Sequence, residues 1–249
     1  MQTSDQLFPL GGRPRDIPLA SPWGATRVCY ESGVSDAEAT SAKDALVVTP
    51  GTGPARLPTA DHTVALTRFE QLAAARRTSL RVDPDVPVPV ELVERLVSVA
   101  TWAPNHKKTW PWRFTLFTGA ARARLGATMA DALEASGMDN QAKLDKFRRK
   151  YLRAPAVLLV GSAAGDGERR TLENRDAVAA AVQNLLLGAT AAGLASFWSS
   201  GHAATDEAVA QLCEWEPGTS TVAVVYLGWP TGDVEVPVRP TTTLRLFEA

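Results

Sequence analysis

Ala103-Pro104-Asn105-His106-Lys107-Lys108-Thr109-Trp110-Pro111-Trp112-Arg113-Phe114 separates two segments with different hydrophobic periods. Upstream, Val90, Val93, Leu96, Val97 and Ala100 recur at i, i+3, i+4 between Pro89 and Ala100, which collects them on one face of a helix. Downstream, Arg113 to Thr118 alternates with the period of a half-buried strand. The prolines and the cluster of polar residues between them end the first pattern before the second begins, so the stretch reads as helix, loop, strand. The loop gathers polar donors and two indoles. It suits a grip on a flat aromatic ligand with polar edges, or a proline-fixed turn whose tryptophans belong to the core.

Working outward, Val64, Phe69, Leu72 and Ala73 form a helical stripe ending at Arg76-Arg77, followed by a loop punctuated by Pro84, Pro87 and Pro89. After the strand, the pattern predicts a helix from Ala120 to about Ser136 and a basic helical stretch from Asn140 to Leu152. Ala156 to Gly161 and Thr221 to Leu227 are apolar runs of strand length. Between them lies the longest helical segment, Glu173 to Ala192, apolar around most of its circumference and therefore expected inside a core or an interface. A short strand at Leu194 to Trp198 and a helix at Thr205 to Glu214 complete the set. The fold class is α+β, or mixed α/β: a central mixed β-sheet flanked by helices.

The first 60 residues have a different texture. They hold seven of the 17 prolines and six of the 18 glycines, and no apolar period persists there. Burial cannot then offset the entropy of ordering. Residues 1–62 are read as an irregular N-terminal extension and 63–249 as one folded domain. The extension is read as a flexible tail, with upstream sequence from a misassigned start and an arm packing on a partner subunit as its alternatives.

The charge balance, 26 Lys plus Arg against 27 Asp plus Glu, gives no electrostatic case for nucleic acid or an anionic membrane as partner. Two cysteines without a C-x-x-C spacing are too few for a disulfide scaffold. No run approaches the ~20 apolar residues of a membrane span, and no basic segment precedes an apolar one at the N-terminus. The expectation is a reduced, cytoplasmic protein. His62, His106 and His202 stand far apart, so no metal ligand set is supported. Gly161 to Gly167 follows a strand but matches no phosphate-loop spacing, and is read as a surface turn.

Two segments keep chemical interest. Arg76-Arg77-Thr78-Ser79-Leu80-Arg81 offers guanidinium forks and hydroxyls suited to a phosphate, or simple compensation of a helix dipole. The second is the loop from Ala103 to Phe114. Their order and separation, 27 residues from Arg76 to Ala103, resemble the FMN-dependent nitroreductase family. That family carries Arg-x-Ser/Thr near the end of its first helix, then Ala-Pro, polar residues, Pro-Trp and a strand. Asn184 to Ala189 followed by Gly193-Leu194 is similar to the family's central helix and its exit. Val224 to Pro230 is similar to its last core strand and Gly-x-Pro turn. Arg76-Arg77-Thr78, Ala103 to Lys107 and Phe197-Trp198-Ser199-Ser200-Gly201 are most like the YdjA-like subgroup. The likeness covers residues 64–240.

The resemblance implies a nitroreductase-like fold and a homodimer with two FMN sites at the subunit interface, each lined by both chains. Carried over by position, Arg76, Arg77 and Thr78 hold the phosphate, ribityl chain or ring edge. His106 contacts the flavin from the loop, and Trp198, Ser199 and Ser200 lie along the isoalloxazine. Arg239 is a further phosphate candidate. The implied activity is a ping-pong oxidoreductase: NAD(P)H delivers hydride to flavin N5, and a nitroaromatic, quinone or similar flat acceptor takes the electrons. The flavin carries that chemistry, so no side chain is named as catalytic. Trp110, Ser199 and Leu80 depart from residues common in the family. They keep two alternatives open, a flavin-dependent desaturase of a specialised substrate and a non-catalytic flavin-binding protein. The basic stretch from Lys143 to Arg153 is read as a solvated helix face, with a lid attracting NADPH as its rival.

Overall fold

A computed structural model describes residues 62–248. The expectations for residues 1–60 lie outside the described residues. The helices are α1 (His62–Ala75), α2 (Val90–Ala100), α3 (Ala121–Ala135), α4 (Gln141–Lys150), α5 (Glu168–Ala191) and α6 (Asp206–Leu212). The strands are β1 (Trp112–Thr118), β2 (Ala156–Ser162), β3 (Ala195–Ser199) and β4 (Ser220–Gly228). Each expected element is present, because each carries its own period; the boundaries move by a few residues. The largest shift is at α5, which starts at Glu168 rather than Glu173. Its first turns are charged, so apolar period could not reveal them.

The strands lie in the order β1-β2-β4-β3, and every neighbouring pair is antiparallel. The parallel component of the sheet is a single bridge from Thr78 to Ser196, where the segment after α1 runs beside β3. β2 is buried along its whole length, as a strand covered on both faces must be. Ala156, Leu158 and Val160 join the core made with α2 and α5. Val157 and Leu159 face the opposite core, with Leu125 and Met129 of α3, Tyr151 and Val209 of α6. In β4, Val224 and Tyr226 take that second side, while Ala223, Val225 and Leu227 take the first.

The α5 helix is a core helix along one stripe: Asn174, Ala177, Val178, Ala181, Val182, Leu185, Leu186 and Ala189 are buried. It packs on α2 closely enough that a Cβ on Gly188 would touch Leu96. Of the core or interface expected for α5, the core accounts for this one stripe. Its other face, with Leu172 and Gln183 exposed, meets no element among the described residues that buries it. In α1 no residue is buried, and Leu66 and Phe69 are more than half exposed. Its apolar stripe does not enter the core of its own chain. No helix among the described residues is long and apolar enough to cross a membrane.

Candidate active site

The segment after α1 leaves the helix at Ala75 and runs extended along the β3 edge of the sheet. The Ser79 amide donates to the Ser196 carbonyl at 2.9 Å, and farther on the Asp83 amide donates to the Trp229 carbonyl at 3.2 Å. Extended backbone sends successive side chains to opposite sides. Arg76 and Thr78 accordingly share one cleft with Trp198 and Ser200 of the β3 edge and with Gln183 and Leu186 of α5. Within it the Arg76 guanidinium lies 3.5 Å from the Thr78 hydroxyl. The Trp198 indole is pinned by its N–H, which donates to the Val222 carbonyl at 3.3 Å. The cleft combines a cation, two hydroxyls, a carboxamide, an indole and a leucine side chain.

The same alternation separates the other members of these motifs. Arg77 and Ser79 line a different depression, with Thr190, Asp233 and Val236. There the Arg77 guanidinium donates to the carbonyls of Ala74 and Arg76. Ser199, odd where Trp198 is even, is not among the residues lining the Trp198 cleft; Phe197 before it packs into the second core. Arg239 lies exposed in the irregular segment after β4 and is not among the residues lining that cleft. Gln183 and Leu186 are not among the site residues expected from the sequence, although Leu186 lies in the Asn184 to Ala189 motif. A polar residue interrupting the apolar run of α5 was the available signal for Gln183.

His106 belongs to another part of the chain. It opens a short 3-10 turn (His106–Lys108) in the loop before β1. Its Nδ1 lies 3.0 Å from a carboxylate oxygen of Glu173 and 3.2 Å from the Arg170 guanidinium, and those two groups are 2.6 Å apart. The hydrogen bond from His106 outweighs the opposing effect of burial and, with the smaller contribution of the Arg170 charge, holds the Glu173 carboxyl below its usual range. Gln183 follows Glu173 by ten residues on α5, about 15 Å along a helix axis. One chain thus carries the loop and the cleft as two separate surfaces.

Loop 105–110 is held in an unusual backbone. Lys107, Lys108 and Trp110 have φ of 61°, 51° and 49°, left-handed values that cost a side-chain-bearing residue about 1–2 kcal/mol each. Side chains hold the loop there. The Asn105 carboxamide oxygen accepts the Trp110 amide at 2.8 Å, and the Thr109 hydroxyl donates to buried Asn174 at 2.6 Å. Arg113 donates to the Trp110 carbonyl at 3.2 Å while paired with Glu216 through bonds of 2.7 and 2.6 Å. Trp110 remains exposed, so it is not the core tryptophan that one sequence reading allowed.

Gly161 to Gly167 proves to be the end of β2 and a turn into α5. The Gly165 amide donates to the Thr171 hydroxyl at 3.0 Å, and the Arg170 side chain lies against Gly165. The basic helix α4 packs on α3 with Leu144 buried against Ala130 and Leu133. It lies on the sheet face opposite the α5 core, and no α4 residue is among those lining the Arg76–Trp198 cleft of the same chain.

The structure is similar to that of the FMN-dependent nitroreductase NfnB from Mycobacterium smegmatis in complex with NADPH. The TM-score is 0.57 at 19% identity, covering 73% of this chain and 100% of the other. In sequence the chain is 31% identical to Bacillus subtilis YfhC, named an NAD(P)H nitroreductase, over 69% of this chain and 90% of that protein. It is 27% identical to Escherichia coli YdjA, similarly named, over 64% and 87%. The nitroreductase family model matches residues 73–229, and the chain belongs to the nitroreductase family.

Proposed function

We propose that this protein is an FMN-dependent oxidoreductase that uses NAD(P)H to reduce nitroaromatic, quinone or similar flat acceptors, acting as a cytoplasmic homodimer. The observation that carries the reading is the convergence of Arg76, Thr78, Trp198 and Ser200 on one cleft from segments far apart in sequence. Its donor set fits the group. A guanidinium and hydroxyls suit a phosphate and a ribityl chain, the Gln183 carboxamide suits a polar ring edge, and an indole suits a flat ring. Bound FMN supplies two-electron redox chemistry, which leaves the side chains the tasks of binding, orienting and excluding water. Arg76 is the phosphate residue, and Trp198 with Leu186 provides the apolar surface for the ring. The names of YfhC and YdjA favour the reductase over the desaturase alternative.

The second copy is supported by surfaces left open in one chain. Leu66 and Phe69 of α1, Leu172 of α5, and Val238, Leu244 and Phe247 after β4 are large apolar side chains at least half exposed. A site shared between copies also reconciles the 15 Å spacing on α5: loop 105–110 serves the flavin bound at the cleft of the other chain. In that arrangement His106 and the Arg76 cleft complete one site.

Purification without added flavin, followed by a visible spectrum and addition of NADPH or NADH under nitrogen, tests the reading. Flavin absorbance that bleaches with nicotinamide is expected. A colourless protein that takes up no added FMN overturns it. Light scattering after gel filtration is expected to give twice the 26.6 kDa chain mass; a monomer that retains FMN would remove the shared site.

A further inference from the structure

We propose that Glu173 is a positioning residue for His106, holding the neutral imidazole as its Nδ1–H tautomer so that Nε2 is the free nitrogen presented to FMN. The inference rests on the flavin-site reading above for what His106 meets, but not for the tautomer.

The geometry is a triangle of three polar atoms. His106 Nδ1 lies 3.0 Å from Glu173 Oε2 and 3.2 Å from an Arg170 guanidinium nitrogen, and the last two atoms are 2.6 Å apart. A guanidinium can only donate and an ionised carboxylate can only accept. Nδ1 can therefore donate to Glu173 or accept from Arg170, and the choice sets the tautomer. Two features favour donation to Glu173. The distance to the carboxylate is shorter, and an ionised carboxylate oxygen has lone pairs enough to accept from both Arg170 and His106. Donation by Nδ1 leaves a lone pair on Nε2, available to accept from a ring-edge N–H. The other tautomer would leave Nε2 a donor.

The clamp is itself supported. Arg169 lies 3.3 Å from the second Glu173 oxygen, and Arg170 lies 3.8 Å from Asp166. The adjacent buried Asn174 secures Thr109 of the same loop, so α5 grips both ends of the turn that carries His106. The charged groups around the imidazole are thus Lys107 and Lys108 on its own turn, and Asp166, Arg169, Arg170 and Glu173 from α5 and the turn before it. Glu173 is the group among them bonded to Nδ1 that can accept its proton. The loop's left-handed residues show why such a clamp is needed: without partners the backbone that aims His106 would relax.

The test uses the whole chain labelled with 15N-histidine, which holds three histidines and so gives three resolvable rings. At the alkaline end of a pH titration, wild-type His106 is expected to show the Nδ1–H pattern. Glu173→Gln is expected to shift it toward Nε2–H. FMN titration by fluorescence quenching is expected to show about tenfold weaker binding in Glu173→Gln and in His106→Ala, with no further loss in the double variant. Glu173→Ala, which leaves no hydrogen-bonding group at the position, is expected to match Glu173→Gln. A wild-type Nε2–H pattern, or a tautomer that ignores both Glu173 variants, overturns the proposal. A tautomer shift with unchanged FMN affinity in Glu173→Gln and His106→Ala alike overturns the flavin half, and with it the placement of His106 in the flavin site.

Discussion

Thr78 and Ser196 form a parallel bridge, 118 positions apart in the chain. This contact brings the segment after α1 alongside β3 and so puts Arg76 and Thr78 beside Trp198 and Ser200. It also imposes a parity. Side chains two apart share a side, and their neighbours go to the other.

Parity predicts unequal roles for the paired arginines. Arg76→Ala is expected to weaken FMN binding about 10- to 100-fold, the loss of a charge-assisted hydrogen bond of about 1.5–3 kcal/mol. Arg77→Ala, whose guanidinium is spent on local carbonyls, is expected to change it less than threefold. Fluorescence titration of apoprotein decides; equal losses would mean that both guanidinia reach the phosphate.

Gly126 lies within α3, where alanine ordinarily stabilises by about 0.5–1 kcal/mol. Here a Cβ would run into the backbone carbonyl of Arg148 on α4, and backbone cannot swing aside. Gly126→Ala is therefore expected to destabilise by about 1–3 kcal/mol, read as a lower Tm. A raised Tm would show that α3 and α4 pack less tightly than described.

Lys150 sits over the rings of Phe147 and Tyr151, at 4.0 and 4.8 Å from their centroids. Burial, with the neighbouring Lys146 charge second, lowers its pKa from 10.5 to about 8. A base depressed in the native state is protonated more readily in the unfolded chain. Between pH 8 and 10.5 the unfolded state binds the extra proton, so stability rises with pH across that window. Lys150→Met keeps the stem and removes the charge. It is expected to raise Tm at pH 7, with the gain shrinking through the window and gone above it. A gain independent of pH would assign the effect to packing instead.

The placement of α4 carries a kinetic prediction. With Leu144 buried against α3, on the far side of the sheet from α5, Lys146→Glu with Arg149→Glu is expected to leave the KM for NADPH unchanged. A raised KM would bring the basic helix back as part of a nicotinamide site.

The elements were legible in the sequence because each is a local pattern. The i, i+3, i+4 face of Val93, Leu96, Val97 and Ala100 writes α2, and the run from Ala156 to Gly161 writes β2. The charged turns from Glu168 to Arg170 have no apolar period, and the start of α5 was missed there. The motifs that signal the family, Arg76-Arg77-Thr78 and Ala103 to Phe114, were legible for the same reason: spacing along one chain is a property of the chain.

Which members of a motif meet was not legible. Arg76 and Arg77 are adjacent and chemically alike, and so are Ser199 and Ser200. What divides them is the register between the segment after α1, β3 and β4, set by pairings between segments that are not neighbours in sequence, 118 positions apart for Thr78 and Ser196. A one-residue slip would exchange their places. The pairing of His106 with Glu173 is likewise a product of α5 packing beside the loop, 67 positions away. Residue types and local periods are written in the chain and determined the elements and the family; the faces those residues take, and the partners they find, follow from long-range pairing and packing.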